Sequence, residues 1–324
     1  MMMLFYLIGG LVTLLICGDL LVRGAVALAV KFGVPSLIVG LTVVAFGTSA
    51  PELMVSVGAV LNGTPGLAIG NIVGSNVANV LLVLGLPALV YPIACNQPSL
   101  PRNTLTMLAV TVLFVIICLG GVLSVLQGLL LFTLLIIFLT YSGYHATRWP
   151  EEEHVDDPEN IDGVSGLPKS PLAIAGFILI GVVGLPAGAH YFVEGGTEIA
   201  RFFGVSDAAI GLSVIALGTS APELATTIMA ALRKQPDLAI GNVLGSNIFN
   251  LLCIMGITPM IADIPIPHAF IYFDLWVMLI AAMAIVPFAM AGRTITRRAG
   301  IFFLAAYVAY MYFLFVADNH SGLA

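Results

Sequence analysis

One stretch of the chain occurs twice. Residues 40–79 and 211–250 align without a gap, and 23 of those 40 positions are identical. Each copy centres on the same heptapeptide, Gly47-Thr-Ser-Ala-Pro-Glu-Leu53 and Gly218-Thr-Ser-Ala-Pro-Glu-Leu224, set 171 positions apart. Phe32-Gly33-Val34 returns as Phe203-Gly204-Val205 at the same offset. The halves are a duplication, so the fold must be built from two related units that carry matching glutamates.

Those glutamates stand in apolar surroundings. Of the 324 residues, 60% are hydrophobic and 9% charged, whereas soluble domains carry roughly 25% charged residues. A chain this apolar cannot cover a soluble surface, and no short alternating strands point to a barrel. The reading is an all-α membrane protein. The stretch from Met1 to Cys17 lacks a basic leader and a small-residue cleavage site, and is taken as the first, retained span. Ten spans are expected, at about 4–30, 35–61, 67–90, 105–119, 123–147, 172–203, 208–232, 238–261, 271–291 and 299–316. Five per half is an odd number, so the second half must cross in the opposite sense to the first. The expected architecture is ten transmembrane helices as two inverted five-helix repeats, a plan common in secondary transporters. The domains are then 1–147, a linker at 148–170, and 171–324.

Charge orients this layout. Seven of the seventeen acids fall between Glu151 and Asp162, in the linker. Nine of the eleven basic residues (Lys31, Arg102, Arg148, Lys169, Arg233, Lys234, Arg293, Arg297 and Arg298) fall in loops that the ten-span layout puts on one side. The positive-inside rule makes that side cytoplasmic, with both termini outside and the protein multi-pass in the plasma membrane, or the inner membrane of a Gram-negative cell. No basic patch suits nucleic acid, and no segment calls for a protein partner.

A carboxylate near the bilayer centre costs about 2.5–3.5 kcal/mol on insertion scales, which marks Glu52 and Glu223 as functional. Proline lacks an N–H, so Pro51 and Pro222 should break their helices and free carbonyls of Ala45, Gly47 or Thr48, and of Ala216, Gly218 or Thr219. Thr48 and Ser49 lie four and three residues before Glu52, on one helix face. In the next span of each half, Gly70-Asn-Ile-Val-Gly-Ser-Asn-Val-Ala-Asn79 and Gly241-Asn-Val-Leu-Gly-Ser-Asn-Ile-Phe-Asn250 pair Ser75 with Asn79 and Ser246 with Asn250 at the same spacing. Carboxylates, hydroxyls, amides and carbonyls without thiolate or imidazole suit hard cations such as Ca²⁺, Na⁺, Mg²⁺ or Mn²⁺. The glycines of these segments read as close-packing faces, and Asn71 and Asn242 either cap a helix break or line the site.

The paired motifs, Gly-Thr-Ser-x-Pro-Glu-Leu and Gly-Asn-x-x-Gly-Ser-Asn-x-x-Asn, resemble the alpha-repeats of the sodium/calcium exchanger family, within the calcium/cation antiporter superfamily. The resemblance implies that Glu52 and Glu223 are the central cation ligands. It places Thr48, Ser49, Thr219 and Ser220 beside them, with Ser75, Asn79, Ser246 and Asn250 from the partner spans and backbone carbonyls of Ala45, Thr48, Ala216 and Thr219. Some members of the family have aspartate where this chain has Asn250, so the site here holds two carboxylates only.

The expected function is antiport of Ca²⁺ against Na⁺ by alternating access around a midplane site, with a Ca²⁺/H⁺ antiporter on the same fold as the alternative. An empty site of charge about −2 is costly to carry across a bilayer, so it should cross only when loaded. No cofactor is expected. The five histidines form no HExxH, and the spans hold no lysine for a Ser/Lys dyad, so an enzyme is not expected. Asp19 and Arg23 read as a mutually paired couple, and the four scattered cysteines as small buried hydrophobes.

Overall fold

A computed structural model describes residues 2–148, 164, 166–203 and 216–321. In the first half, α1 (Met2–Phe32) is followed by the bent pair α2 (Ser36–Thr48) and α3 (Ala50–Leu61), then α4 (Pro65–Val90), α5 (Leu100–Cys118) and α6 (Val125–Arg148). In the second, α7 (Pro171–Phe202) leads to α8 (Ala216–Thr219), α9 (Ala221–Leu232), α10 (Pro236–Met260), α11 (Phe270–Ala291) and α12 (Arg297–Ser321). Among the described residues, eight helices are long and apolar enough to cross a membrane, and the pair α2–α3, bent by 44°, makes a ninth. The seventh expected span is described from Ala216 onward, and residues 204–215 lie outside the described residues. So does most of the acidic linker. The chain is an all-α, multi-pass membrane protein of two inverted repeats.

The inversion is visible where the first helices of the two halves meet. Gly24 of α1 abuts Ile178 at the start of α7, and Gly195 near the end of α7 abuts Leu7 at the start of α1, so the two run antiparallel. The 171-residue offset converts one contact into the other. It likewise converts the packing of Gly10 on Phe192 into that of Gly181 on Leu21. A Cβ on Gly195 would lie 2.7 Å from the Met3 carbonyl, so only glycine allows these backbones so close. The loops repeat the symmetry. A short ladder joins β1 (Val122–Leu123) to β2 (Ile264–Pro265), and an isolated bridge joins Ile93 to Ile295.

Burial separates the helices by role. The α10 span lies wholly inside the protein and α4 nearly so, whereas α12 presents most of its apolar surface outward. A helix apolar all round belongs in a protein core or against lipid. The central pair α4 and α10 are the two helices that carry the Gly-Ser-Asn motifs. All four cysteines are buried and free, as expected.

The expected Asp19–Arg23 pair forms at 2.8 Å, and Arg233 from the end of α9 joins it at 2.7 Å. The acid of α1 is therefore tied to the second repeat. At the offset positions α7 carries His190 and Glu194 instead, 3.7 Å apart and well exposed. The asymmetry makes a prediction. Arg233→Gln leaves Asp19 its Arg23 partner and should cost about 1 kcal/mol of stability. Asp19→Asn strands both guanidinium groups and should cost about 3 kcal/mol. Thermal unfolding of the purified protein in detergent reads both.

Candidate functional site

Each heptapeptide folds as a break between two half-helices. Ser49 (φ −83°, ψ 4°) ends α2, and Ser220 (φ −87°, ψ 4°) ends α8, so the two breaks match in backbone angle. Pro51 and Pro222 stand in the first turn of the helices that follow, where a missing N–H costs nothing. Glu52 and Glu223 fall in those same first turns, at the positive end of a half-helix, which favours the carboxylate. The proline therefore starts a new helix with the glutamate at its head rather than kinking a continuous one.

The two breaks meet across the repeats. Ser49 Oγ donates to Glu223 Oε1 at 3.2 Å. The Thr48 hydroxyl lies 3.2 Å from Asn242 Oδ1 and 3.3 Å from Ser246 Oγ. The Ser49 hydroxyl thus meets the Glu223 carboxylate, and the Thr48 hydroxyl meets Asn242 and Ser246 in the next span of the same repeat as Glu223. Close packing allows this approach. A Cβ on Gly245 would sit 2.5 Å from the Leu41 carbonyl and 2.6 Å from Ala45 Cβ, so α10 lies directly on the backbone of α2. Gly241 does the same against the Leu37 carbonyl, as expected of a small-residue face.

Asn71 and Asn242 resolve to matching roles. Asn71 Nδ2 donates to the Glu52 carbonyl (3.3 Å) and Ser56 Oγ (3.1 Å). Asn242 Nδ2 donates to the Glu223 carbonyl (3.4 Å) and Thr227 Oγ1 (3.1 Å). Each pins the first turn of the glutamate helix to the next span of its own repeat. Asn242 also accepts from Thr48, and so touches the other repeat as well.

Glu52 and Glu223 are both fully buried, as are Thr48, Asn79, Ser246 and Asn250. Ser49, Ser75 and Ser220 are buried too. Thr219 is half-buried beside them. Both Glu52 carboxylate oxygens, Glu223 Oε2, Ser220 Oγ, Asn79 Oδ1 and Asn250 Oδ1 lack a hydrogen-bond partner. Buried polar groups normally have partners, and a buried carboxylate without one is expensive. Every one of these except Ser220 Oγ and a protonated carboxyl is an acceptor alone, so a cation, a proton or a water O–H is the kind of group that would satisfy them.

The Ala45 carbonyl accepts the Ser49 N–H at 3.0 Å, and the Thr48 hydroxyl reaches it at 3.3 Å. It is free for a cation only if Thr48 turns away, because the peptide N–H of Ser49 caps the helix end before the proline can leave that carbonyl bare. Ala216 opens α8. No group of three His, Cys, Asp or Glu side chains that could hold a resident metal occurs among the described residues. An apolar groove of about 440 Å³ between α1, α2 and α6, lined by Leu28, Ile38 and Leu139 among others, shares no residue with the site.

Two residues of the Gly-Ser-Asn motifs carry more than their position suggested. Asn76 and Asn247 bond across the repeats, from Asn250 Nδ2 to Asn76 Oδ1 (2.9 Å) and from Asn79 Nδ2 to Asn247 Oδ1 (3.2 Å). Their identity in both copies was the one available signal.

Known proteins match this chain over nearly its whole length. A family model described as "Sodium/calcium exchanger protein" matches residues 2–144 and 173–316. The "Putative antiporter CaxA" of Alkalimonas amylolytica is 37% identical over 318 residues, 96% of this chain and 98% of that protein. The "Sodium/calcium exchanger MaX1" of Methanosarcina acetivorans is 32% identical over 343 residues, 94% of this chain and 96% of that protein. Among solved structures, the sodium-calcium exchanger NCX_Mj, soaked with 2.5 mM Na⁺ and 0.1 mM Ca²⁺, superposes with a TM-score of 0.82 at 31% identity, covering 96% of this chain and 98% of that one.

Proposed function

We propose that this chain, which belongs to the sodium/calcium exchanger protein family, exchanges Ca²⁺ for Na⁺ at one site built from Glu52 and Glu223. The observation that carries the proposal is the pair of fully buried carboxylates with three of their four oxygens unpartnered. Ca²⁺ takes about 6–8 oxygen ligands in flexible geometry. The two carboxylates, the hydroxyls of Thr48, Ser49, Thr219, Ser220, Ser75 and Ser246, the amide oxygens of Asn79 and Asn250, and carbonyls near Ala45 and Ala216 can supply them.

The exchange follows from charge. Two ionised glutamates give the site a charge of about −2, which one Ca²⁺ or two Na⁺ neutralise. A site left empty keeps its full burial penalty and stays put. Binding of one ion species therefore excludes the other, and translocation accompanies either. In the orientation set by the basic loops, both termini are outside and the linker is cytoplasmic. The glycine-lined antiparallel pair α1–α7 is the part that moves past the site. The tie from Asp19 to Arg233 then holds α1 against the second repeat on the cytoplasmic side, and His190 and Glu194 face outward.

The test is Ca²⁺ uptake into proteoliposomes. An outward Na⁺ gradient should drive it and a pH gradient alone should not. Uptake driven by the pH gradient and indifferent to Na⁺ would instead establish the proton-coupled antiporter. The hydrogen bonds of Asn242 and Asn71 predict an order as well. Asn242→Leu removes supports from both repeats and should raise the KM for Ca²⁺ by about 10- to 100-fold. Asn71→Leu removes supports from one repeat and should raise it less.

A further inference from the structure

We infer that Asn76 and Asn247, each backed by a methionine, are positioning residues that decide which end of the Asn250 and Asn79 amides a bound cation meets. The inference rests on the reading of Glu52 and Glu223 as the cation site.

Two hydrogen-bonded chains run inward, one from each repeat into the other. In the first, Asn76 Nδ2 donates to Met278 Sδ (3.8 Å), and Asn76 Oδ1 accepts from Asn250 Nδ2 (2.9 Å). In the second, Asn247 Nδ2 donates to Met107 Sδ (3.6 Å), and Asn247 Oδ1 accepts from Asn79 Nδ2 (3.2 Å). The 171-residue offset converts every member of one chain into its counterpart in the other. All six side chains are buried.

The direction of each chain is set at its outer end. A thioether sulfur accepts a hydrogen bond and has none to donate. The asparagine beside it must therefore present its NH₂ to the sulfur and its oxygen inward. That oxygen takes the NH₂ of the next asparagine, whose own oxygen is left facing on. This last oxygen, Oδ1 of Asn79 and of Asn250, is the buried acceptor without a partner in each chain. Were either terminal amide to turn over, an NH₂ would point at the cation, losing a ligand and adding a repulsive dipole. Asn79 and Asn250 are thus ligands in one orientation only, and Asn76 and Asn247 hold them in it.

The experiment measures the KM for Ca²⁺ and the maximal rate of Na⁺-driven uptake by full-length protein in proteoliposomes, with equilibrium Ca²⁺ binding to the purified protein as a second reading. Asn76→Leu should raise the KM and the dissociation constant by about 10- to 100-fold, with the maximal rate within about threefold of wild type. Met278→Leu preserves the core volume and should raise both constants by about threefold, since it frees the outer amide without removing it. The Asn250→Asp background separates orientation from packing. A carboxylate shows oxygen whichever way it turns, so adding Asn76→Leu there should change the dissociation constant by less than about twofold. An equal penalty in both backgrounds, or Asn76→Leu and Met278→Leu proteins with wild-type constants, would overturn the inference while leaving the site reading intact. Absence of saturable Ca²⁺ binding by the wild type would overturn the site reading itself.

Discussion

Replacing Glu52 or Glu223 with glutamine is expected to abolish Ca²⁺ exchange while leaving a folded and more stable protein. Both carboxylates are fully buried, and neither has a cationic side chain to answer it among the described residues. Removing one charge halves the attraction for the ion, and affinity should fall by about 100-fold or more, equivalent to about 2.7 kcal/mol. The sign of the stability change is opposite. An unpaired buried charge is a liability in the ion-free protein, and a neutral amide relieves it. Thermal unfolding in ion-free buffer should therefore move up in each glutamine variant. Ligand binding stabilises the folded state in proportion to its affinity, so the rise that Ca²⁺ confers on the wild type should disappear. A purely structural glutamate would give the reverse pattern, with lower stability and retained Ca²⁺ response.

Gly245→Val is the second large effect expected. Position 245 lies on the seam between α10 and α2, where even a single added carbon would come within 2.5 Å of the Leu41 carbonyl. Backbone cannot yield as a flexible side chain can, so α10 must move away from α2. Overpacking of this kind costs about 1–3 kcal/mol, and the branched Val adds to it. The same displacement carries Ser246 and Asn242 away from Thr48, so folding yield and transport should both fall. Gly9→Ala is the control. Gly9 lies on α1 with nothing within 4 Å of an added Cβ, and alanine there should be tolerated.

Much of this organisation can be read before any coordinates. The repeat implies two equivalent halves, and the odd number of spans expected in each predicts the inversion that the antiparallel α1–α7 contact displays. The proline of each heptapeptide marks the helix break to within two residues. Helical spacing picks out Thr48 and Ser49, whose hydroxyls the fold then sets across the repeats, against Asn242 and Ser246 and against Glu223. What spacing cannot supply is long-range pairing. Asn76 is three residues from Asn79, so a single helix gives no sign that it bonds Asn250 instead. Met107 and Met278 look like ordinary core residues until the amides beside them are seen. Arg233 reads as a loop cation by position, yet it reaches the middle of α1 to share Asp19. The Ala45 carbonyl is the opposite case, since the local rule of a missing proline N–H overlooks the Ser49 N–H and Thr48 hydroxyl that reach it.

Glu52 and Glu223 come from opposite repeats, and under the proposed function neither is a site alone. The most direct test of this is a calorimetric titration of Ca²⁺ into the purified wild-type protein and into Glu52→Gln and Glu223→Gln. The expected result is saturable Ca²⁺ binding by the wild type that added Na⁺ displaces, and its loss in both single variants. Undiminished Ca²⁺ binding in either variant would contradict it.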